Sequence, residues 1–321
     1  MKKYKSKQVK QKQDQTFKTK KKKKNSDDIE LTEDTNLMSR INWFPGHMAK
    51  AIKKVKEKLK LVDIILEIRD ARAPMTSGNE YLVQEVGQKL RLIIFNKVNM
   101  AEDSVTNKWK EFLDRNQTPY IFVNTFEKAE VKSLLNLIKE TIQNKRENQQ
   151  GLTVKKGKMR AMIIGLPNTG KSTIINHLSS KSAARTADKP GHTQSQQWIK
   201  LDEDLELLDT PGIMHPRIDT EDQGMWLSAI HAIPDHIVGV DTAACFIIRY
   251  LLEKKSKTFL DRYELEEDSS RDYIKALEEI GKVRGCLLKG GHIDYDRVYK
   301  LVLLDFRKGD LGPCTFEHPP V

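Results

Sequence analysis

The feature that most constrains this chain is an apolar run at 161–164 that turns at once into Gly165-Leu166-Pro167-Asn168-Thr169-Gly170-Lys171-Ser172. For a chain of this length, average residue frequencies give about one chance match to such a pattern in a hundred, and a preceding strand lowers the odds further. The reading is a strand, a tight loop and then a helix. Glycines at 165 and 170 let the backbone curl so that its N–H groups face phosphate oxygens. Lys171 then neutralises β- and γ-phosphates, and the Ser172 hydroxyl ligates magnesium. Thr169 and Thr173 belong to the same nucleotide-binding segment.

Other short apolar, β-branched runs stand at 61–68, 92–95, 120–123 and 205–208, with helical patterns between several of them. Short apolar strands alternating with helices predict an α/β fold, a mainly parallel sheet covered on both faces. Ligands on such sheets bind beyond the carboxyl ends of the strands, where the phosphate loop lies. After about Gly212 the strand signals stop, and helical patterns at 241–254, 269–282 and 293–307 predict a small all-α C-terminal domain. Val298, Leu301, Val302 and Phe306 form one apolar stripe in the last of these, and Gly309 is its expected stop. At the other end, Pro45-Gly46 is a turn, and Met48, Ile52, Val55 and Leu59 recur at helical spacing among six lysines, Lys50, Lys53, Lys54, Lys56, Lys58 and Lys60.

The expected organisation is a lysine-rich disordered tail at 1–40, a sheet domain at 41–215 and the helical domain at 216–321. Residues 1–24 hold twelve lysines and one acid, Asp14, which accounts for the whole formal charge of +11. With almost no large apolar residue, the tail cannot bury enough surface to fold alone. It reads as a solubilising arm, an electrostatic tether to RNA phosphates or a nuclear-import signal. No stretch reaches the apolar length of a membrane span and the lysine-rich start has no apolar signal core, so a soluble intracellular protein is expected. The three cysteines, Cys245, Cys286 and Cys314, show no metal-ligand spacing and suit a reducing compartment.

Two further motifs extend the phosphate site. The run at 205–208 delivers Asp209-Thr210-Pro211-Gly212, where the aspartate can hold magnesium and the Gly212 amide can sense a γ-phosphate. Between the two, Pro190-Gly191-His192-Thr193 offers Thr193 as a mobile magnesium ligand. Upstream of both, the run at 92–95 ends in Asn96-Lys97-Val98-Asn99, which resembles the guanine-reading Asn-Lys-x-Asp motif of GTPases with asparagine in the fourth place. Asn124-Thr125 follows the next apolar run, in the position of a base-backing loop. Base motif, base-backing loop, phosphate loop, switch threonine and Asp-Thr-Pro-Gly is the usual GTPase order cut and rejoined, a circular permutation.

Residues 41 to about 315 resemble the YlqF/RbgA family of bacterial GTPases and its organellar relatives. Besides these loops the resemblance rests on Trp43-Phe44-Pro45-Gly46-His47-Met48, Asp70-Ala71-Arg72-Ala73-Pro74, Arg284-Gly285-Cys286 and Gly290-Gly291. It implies a Ras-like P-loop sheet, a helical domain contacting ribosomal RNA, and GTP hydrolysis stimulated by the precursor of the large ribosomal subunit. Implied also are a monomer, magnesium, and a bacterial cytoplasmic location, with the mitochondrial matrix as an alternative; the run Lys20 to Lys24 offers the nucleolus as another. Asn168 resembles the asparagine with which related GTPases hold potassium, although a turn role after Pro167 explains it equally. His47 is the family's suspected water-positioning residue, with helix capping as the plain alternative.

Two departures leave alternatives open. Ile213 replaces the glutamine that usually orients the attacking water. Asn99 can accept only one of the two hydrogen bonds guanine offers, and xanthine would suit its amide better. A nucleotide-dependent RNA-binding factor with negligible hydrolysis, or a P-loop enzyme acting on a small molecule, would share these motifs. Deleting residues 1–24 should flatten the salt dependence of ribosomal-particle binding while leaving basal hydrolysis intact, because no phosphate-site residue lies there. Particle sedimentation over a salt series checks this, and an unchanged slope would make the tail a solubiliser only.

Overall fold

The computed structural model describes residues 46–148, 157–179, 197–215, 217–265 and 272–320. The tail at 1–40 and Trp43-Phe44-Pro45 lie outside them. After helix α1 (Gly46–Lys58) and a 3-10 turn come β1 (Ile64–Asp70), α2 (Glu80–Val86), β2 (Leu90–Asn96), α3 (Asp103–Arg115), β3 (Tyr120–Val123) and α4 (Lys128–Asn148). The chain continues through β4 (Met159–Gly165), α5 (Lys171–Leu178), β5 (Gln197–Lys200) and β6 (Leu205–Asp209). Helices α6 (Glu221–Ala229), α7 (Asp235–Val238), α8 (Val240–Glu253), α9 (Lys257–Tyr263), α10 (Tyr273–Val283) and α11 (Tyr295–Lys308) close it.

The six strands form one sheet in the order β3-β2-β1-β4-β6-β5. Every pairing is parallel except β5 with β6. Five strands are the apolar runs expected from the sequence. The sixth, β5, was not expected, because only Ile199 of its four residues is buried, and an edge strand half open to solvent carries no apolar run. The run at 61–68 also begins late as a strand. Leu59–Leu61 is a 3-10 turn, and Asp63 then donates its N–H to Arg160 O at 2.7 Å to start β1 against β4.

Alternation along the strands sorts two cores onto opposite faces. Ile64, Leu66 and Ile68 of β1, with Leu92 and Ile94 of β2, pack against α4 and α5 through Leu134, Ile138, Ile174 and Ile175. On the other face, Ile65, Met162, Ile164 and Leu208 join a core shared with α1, α2 and the C-terminal helices. The apolar helix α8 lies at its centre, burying Ala244, Ile247, Ile248, Leu251 and Leu252. Around it α11 is capped by Asp294, whose carboxylate accepts from Arg297 N, and stops at Gly309 with φ +86°. Helix α10 starts at Tyr273, capped by Asp272.

Charge fastens this helical layer to the sheet. Asp70, the last residue of β1, is fully buried and receives Arg72 Nε at 2.9 Å, Arg72 Nη2 at 2.8 Å and Lys97 Nζ at 2.8 Å. Arg72 in turn lies over the Phe306 ring of α11, 5.3 Å from its centroid. The C-terminal segment returns to the sheet: Phe316 N donates to Arg72 O, and Thr315 and Glu102 exchange hydrogen bonds at 2.9 and 3.1 Å. Trp109 Nε1 donates to Glu317 O at 3.0 Å.

Burial alone would raise the Asp70 carboxyl, but Arg72 and Lys97 beside it outweigh that and hold it well below the usual carboxylate range. Its stabilising contribution is therefore complete at neutral pH and lost as pH falls through the acid range. Asp70→Ala strands a buried guanidinium and a half-buried ammonium and should cost about 3–5 kcal/mol in urea unfolding at pH 7. The deficit should shrink on acidification, and a loss below about 1 kcal/mol would mean the pair is solvated like a surface ion pair.

Candidate functional site

The phosphate-loop segment takes the conformation its residues suggest. β4 ends at Gly165, Asn168 adopts φ +57°, and Gly170 adopts φ +99° just before α5 begins at Lys171. A Cβ on Gly170 would lie 2.0 Å from Asn96 Nδ2, so no other residue fits there. Lys171 is buried, with Nζ folded back onto Leu166 O at 2.6 Å. Ser172 and Thr173 follow, each half-buried.

Asp209 at the end of β6 is also buried, and its Oδ1 has no hydrogen-bond partner among the described residues. Burial pushes its carboxyl up to about 6 against the attraction of Lys171. Burial likewise pushes the Lys171 ammonium down to about 8, with Asp209 opposing and Lys97 adding to the fall. Each charge is thus held where it is costly unless a ligand completes the site. An orphaned carboxylate oxygen and a serine hydroxyl, both hard donors, fit a magnesium ion that draws its remaining ligands from phosphate and water.

The segment after Asp209 runs along the phosphate loop. Thr210 Oγ1 donates to Ile163 O at 2.6 Å and Ile213 N to Gly165 O at 3.2 Å. Gly212 passes so close to Pro167 that a Cβ would meet its nitrogen at 2.8 Å. The Ile213 side chain is fully buried. Beyond it, Asn79 Nδ2 donates to Ile213 O at 2.8 Å, and Met214 N approaches Met48 Sδ at 3.4 Å. The first turn of α1, which contains His47, is therefore tied to the residues just past Gly212.

The base-motif residues join the same place from the other half of the chain. Asn96 Nδ2 donates to Thr169 O at 3.0 Å, and Lys97 Nζ donates to Asn168 O at 2.8 Å. Lys97 adopts φ +62°, which turns the chain sharply off β2. Asn96 Oδ1 is buried without a partner among the described residues, and Asn99 is exposed. Register places Val123 beside Asn96, so Asn124 and buried Thr125 follow at the same sheet end. Asn124 N donates to Glu130 Oε2 at 2.6 Å, fixing that loop.

Asn168 donates Nδ2 to His231 O at 2.9 Å, a contact with the helical layer that no sequence pattern announced. Asp70, Arg72 and Asn79 are the residues whose positions sequence reasoning left unassigned. The first two stood in a motif carried by resemblance, whereas Asn79 had no signal at all. Thr193 and the side chain of His47 lie outside the described residues.

The profile of a family described as "50S ribosome-binding GTPase" matches residues 160–278, from β4 onward, and leaves β1–β3 out, as expected when those strands precede the phosphate loop. Ribosome biogenesis GTPase A of Bacillus licheniformis is 41% identical over 279 residues, covering 87% of this chain and 98% of that protein. Mitochondrial ribosome-associated GTPase 1 of Bos taurus is 32% identical over 295 residues, covering 86% and 88%. The solved structure of GNP-bound YlqF from T. maritima superposes with a TM-score of 0.58 at 28% identity, covering 84% of this chain and 98% of that one. A Ras-like sheet whose first three strands precede the phosphate loop, an α-helical C-terminal part and this degree of identity leave one conclusion: the chain belongs to the YlqF/RbgA family of circularly permuted GTPases.

Proposed function

We propose that this protein hydrolyses GTP as an assembly factor of the large ribosomal subunit, with the precursor particle and its ribosomal RNA as partners that stimulate hydrolysis. The observation that carries the reading is the seam between the two halves of the chain. Asn96 and Lys97 bond to the backbone of Thr169 and Asn168, so a base-reading loop and a phosphate loop become one site. The descriptions of the relatives, "Ribosome biogenesis GTPase A" and "50S ribosome-binding GTPase", support ribosome assembly and the large subunit. Among the described residues no helix is long and apolar enough to cross a membrane.

In this mechanism the amides of residues 165–172 and the Lys171 ammonium take the β- and γ-phosphates, and Asn96, Lys97 and Asn99 take the base. Asn124 and Thr125 back it. Ser172 and Asp209 would hold magnesium, with Thr193 as the third ligand. When bound, magnesium neutralises charge shared by the two terminal phosphates. Ile213 cannot orient water, being apolar and sealed in the core, so that task falls to His47. The Met48–Met214 contact supports this by tying His47's helix turn to the segment after Gly212. A potassium ion at Asn168 would meet its amide oxygen, since the amide nitrogen is given to His231 O.

Loss of γ-phosphate would act on the helical layer by two routes. Asn168 holds His231, in the turn where Arg307 of α11 donates to Ser228 O at 2.9 Å and to both Asp235 carboxylate oxygens at 2.6 and 3.0 Å. Gly212 leads directly through residues 213–220 into α6. Nucleotide state would thereby set RNA affinity.

Phosphate release measured with and without large-subunit precursor particles, in potassium and in sodium, tests the proposal. Stimulation by the particle is expected, and turnover indifferent to it would end the assembly reading. Lys171→Ala should lose productive nucleotide binding in calorimetry, because several phosphate charges would face the loop without its side-chain cation. Asn99→Asp should tighten GTP by ~1–3 kcal/mol and weaken xanthosine triphosphate, a reversal that general stabilisation cannot mimic. Unchanged relative preference would move base recognition elsewhere.

A further inference from the structure

Phe126 is the most exposed large apolar side chain among the described residues, with 69% of its surface open. The side chain lies outside every core cluster, and its loop is built with care nonetheless. Asn124 Oδ1 accepts from Phe126 N at 3.1 Å, Asn124 O accepts from Glu127 N at 3.0 Å, and Asn124 N is anchored on Glu130. The ring stands edge-on to His177, with centroids 5.8 Å apart and planes at 83°.

The loop that carries this ring and the helix it meets both adjoin the candidate site. Residue 126 follows β3 at the sheet end where register sets Val123 beside Asn96. His177 stands on α5, the helix that Lys171 opens, about 9 Å along its axis from that lysine. A nucleotide with its phosphates at the head of α5 and its base at residues 96–99 would bring the purine toward the sheet end from which the loop of Phe126 leaves β3. We propose that Phe126 is the stacking shelf of the base site, a specificity-neutral anchor for purine nucleotides. This deepens the nucleotide reading above and rests on it.

The chemistry fits the weakness at Asn99. An amide there matches only part of guanine's hydrogen-bonding edge, whereas a π-face binds a base whatever its edge carries. Stacking would supply affinity common to guanine and xanthine, leaving Asn99 to set the small preference between them.

Titrations of GDP, xanthosine diphosphate and inorganic tripolyphosphate against wild type, Phe126→Ala, Phe126→Trp and Asn99→Asp test the proposal. Phe126→Ala should weaken both diphosphates by the same factor, roughly ten- to a hundredfold, and leave tripolyphosphate unchanged. Phe126→Trp should keep the affinity, and its added indole fluorescence should change on saturation with GDP but not with tripolyphosphate. Because the side chain is exposed, these variants should fold as wild type. Wild-type GDP affinity in Phe126→Ala, or an equal loss for tripolyphosphate, would overturn the shelf. If Asn99→Asp still shifts the guanine-to-xanthine ratio, only the shelf fails. If it does not, the base-site reading fails with it.

Discussion

A single buried carboxylate organises this structure. Asp70 closes β1, the strand on which both halves of the sheet meet, and it sits with no solvent exposure between Arg72 and Lys97. Two cations around one buried anion satisfy what either would lose on leaving water, and breaking such a set costs far more than forming it contributes. The arrangement is possible because Asp70 pairs in register with Asn96, so the next residue, Lys97, turns back over it. From there the charge set reaches in three directions: Lys97 to the phosphate loop, Arg72's backbone to the C-terminal segment, and its guanidinium to α11.

Circular permutation gives this hub its meaning. In a chain with the phosphate loop first, the helical part would have to follow the base-reading strands. Here it follows Gly212, so the segment that borders the phosphate loop is also the tether of the helices. The proposed switch needs that connection, and residues 213–215 show how closely it is held. Asn79, Met48 and Thr76 each bind it from the part of the chain that precedes the phosphate loop. His215, whose Nε2 lies 3.0 Å from Thr76 O, is kept below its ordinary pKa by burial. A segment held by the sheet loops and followed in the chain by α6 is what an element shared by the two proposed states requires.

The energetics of the phosphate site point the same way. Lys171 and Asp209 are both buried with their ionised forms disfavoured, an arrangement that stability alone does not select. Such groups gain most when a phosphate and a hard cation arrive together, since each then finds its opposite charge in a dry place. In the proposed mechanism, the burial of apolar Ile213 leaves water activation to another residue.

Much of this was legible in the residues themselves. The phosphate loop, Asp209 and the base motif stood at the ends of apolar runs, and the parallel sheet followed because short β-branched runs alternated with helical patterns. Local chemistry sufficed: glycine where φ is positive and an apolar run where both faces are covered. What the sequence could not decide depends on contacts between distant segments. β5 went unseen since an edge strand need bury only one face. The bonds from Asn168 to His231 and from Asn79 to Ile213 join residues 63 and 134 positions apart, and no pattern of spacing encodes them. The return of Thr315, Phe316 and Glu317 to the sheet depends on shape and hydrogen-bond complementarity that exist only after the helices have packed. Sequence determined which chemistry each loop carries. Tertiary structure decided which loops share one site, because burial and partner geometry are properties of the assembled surfaces alone.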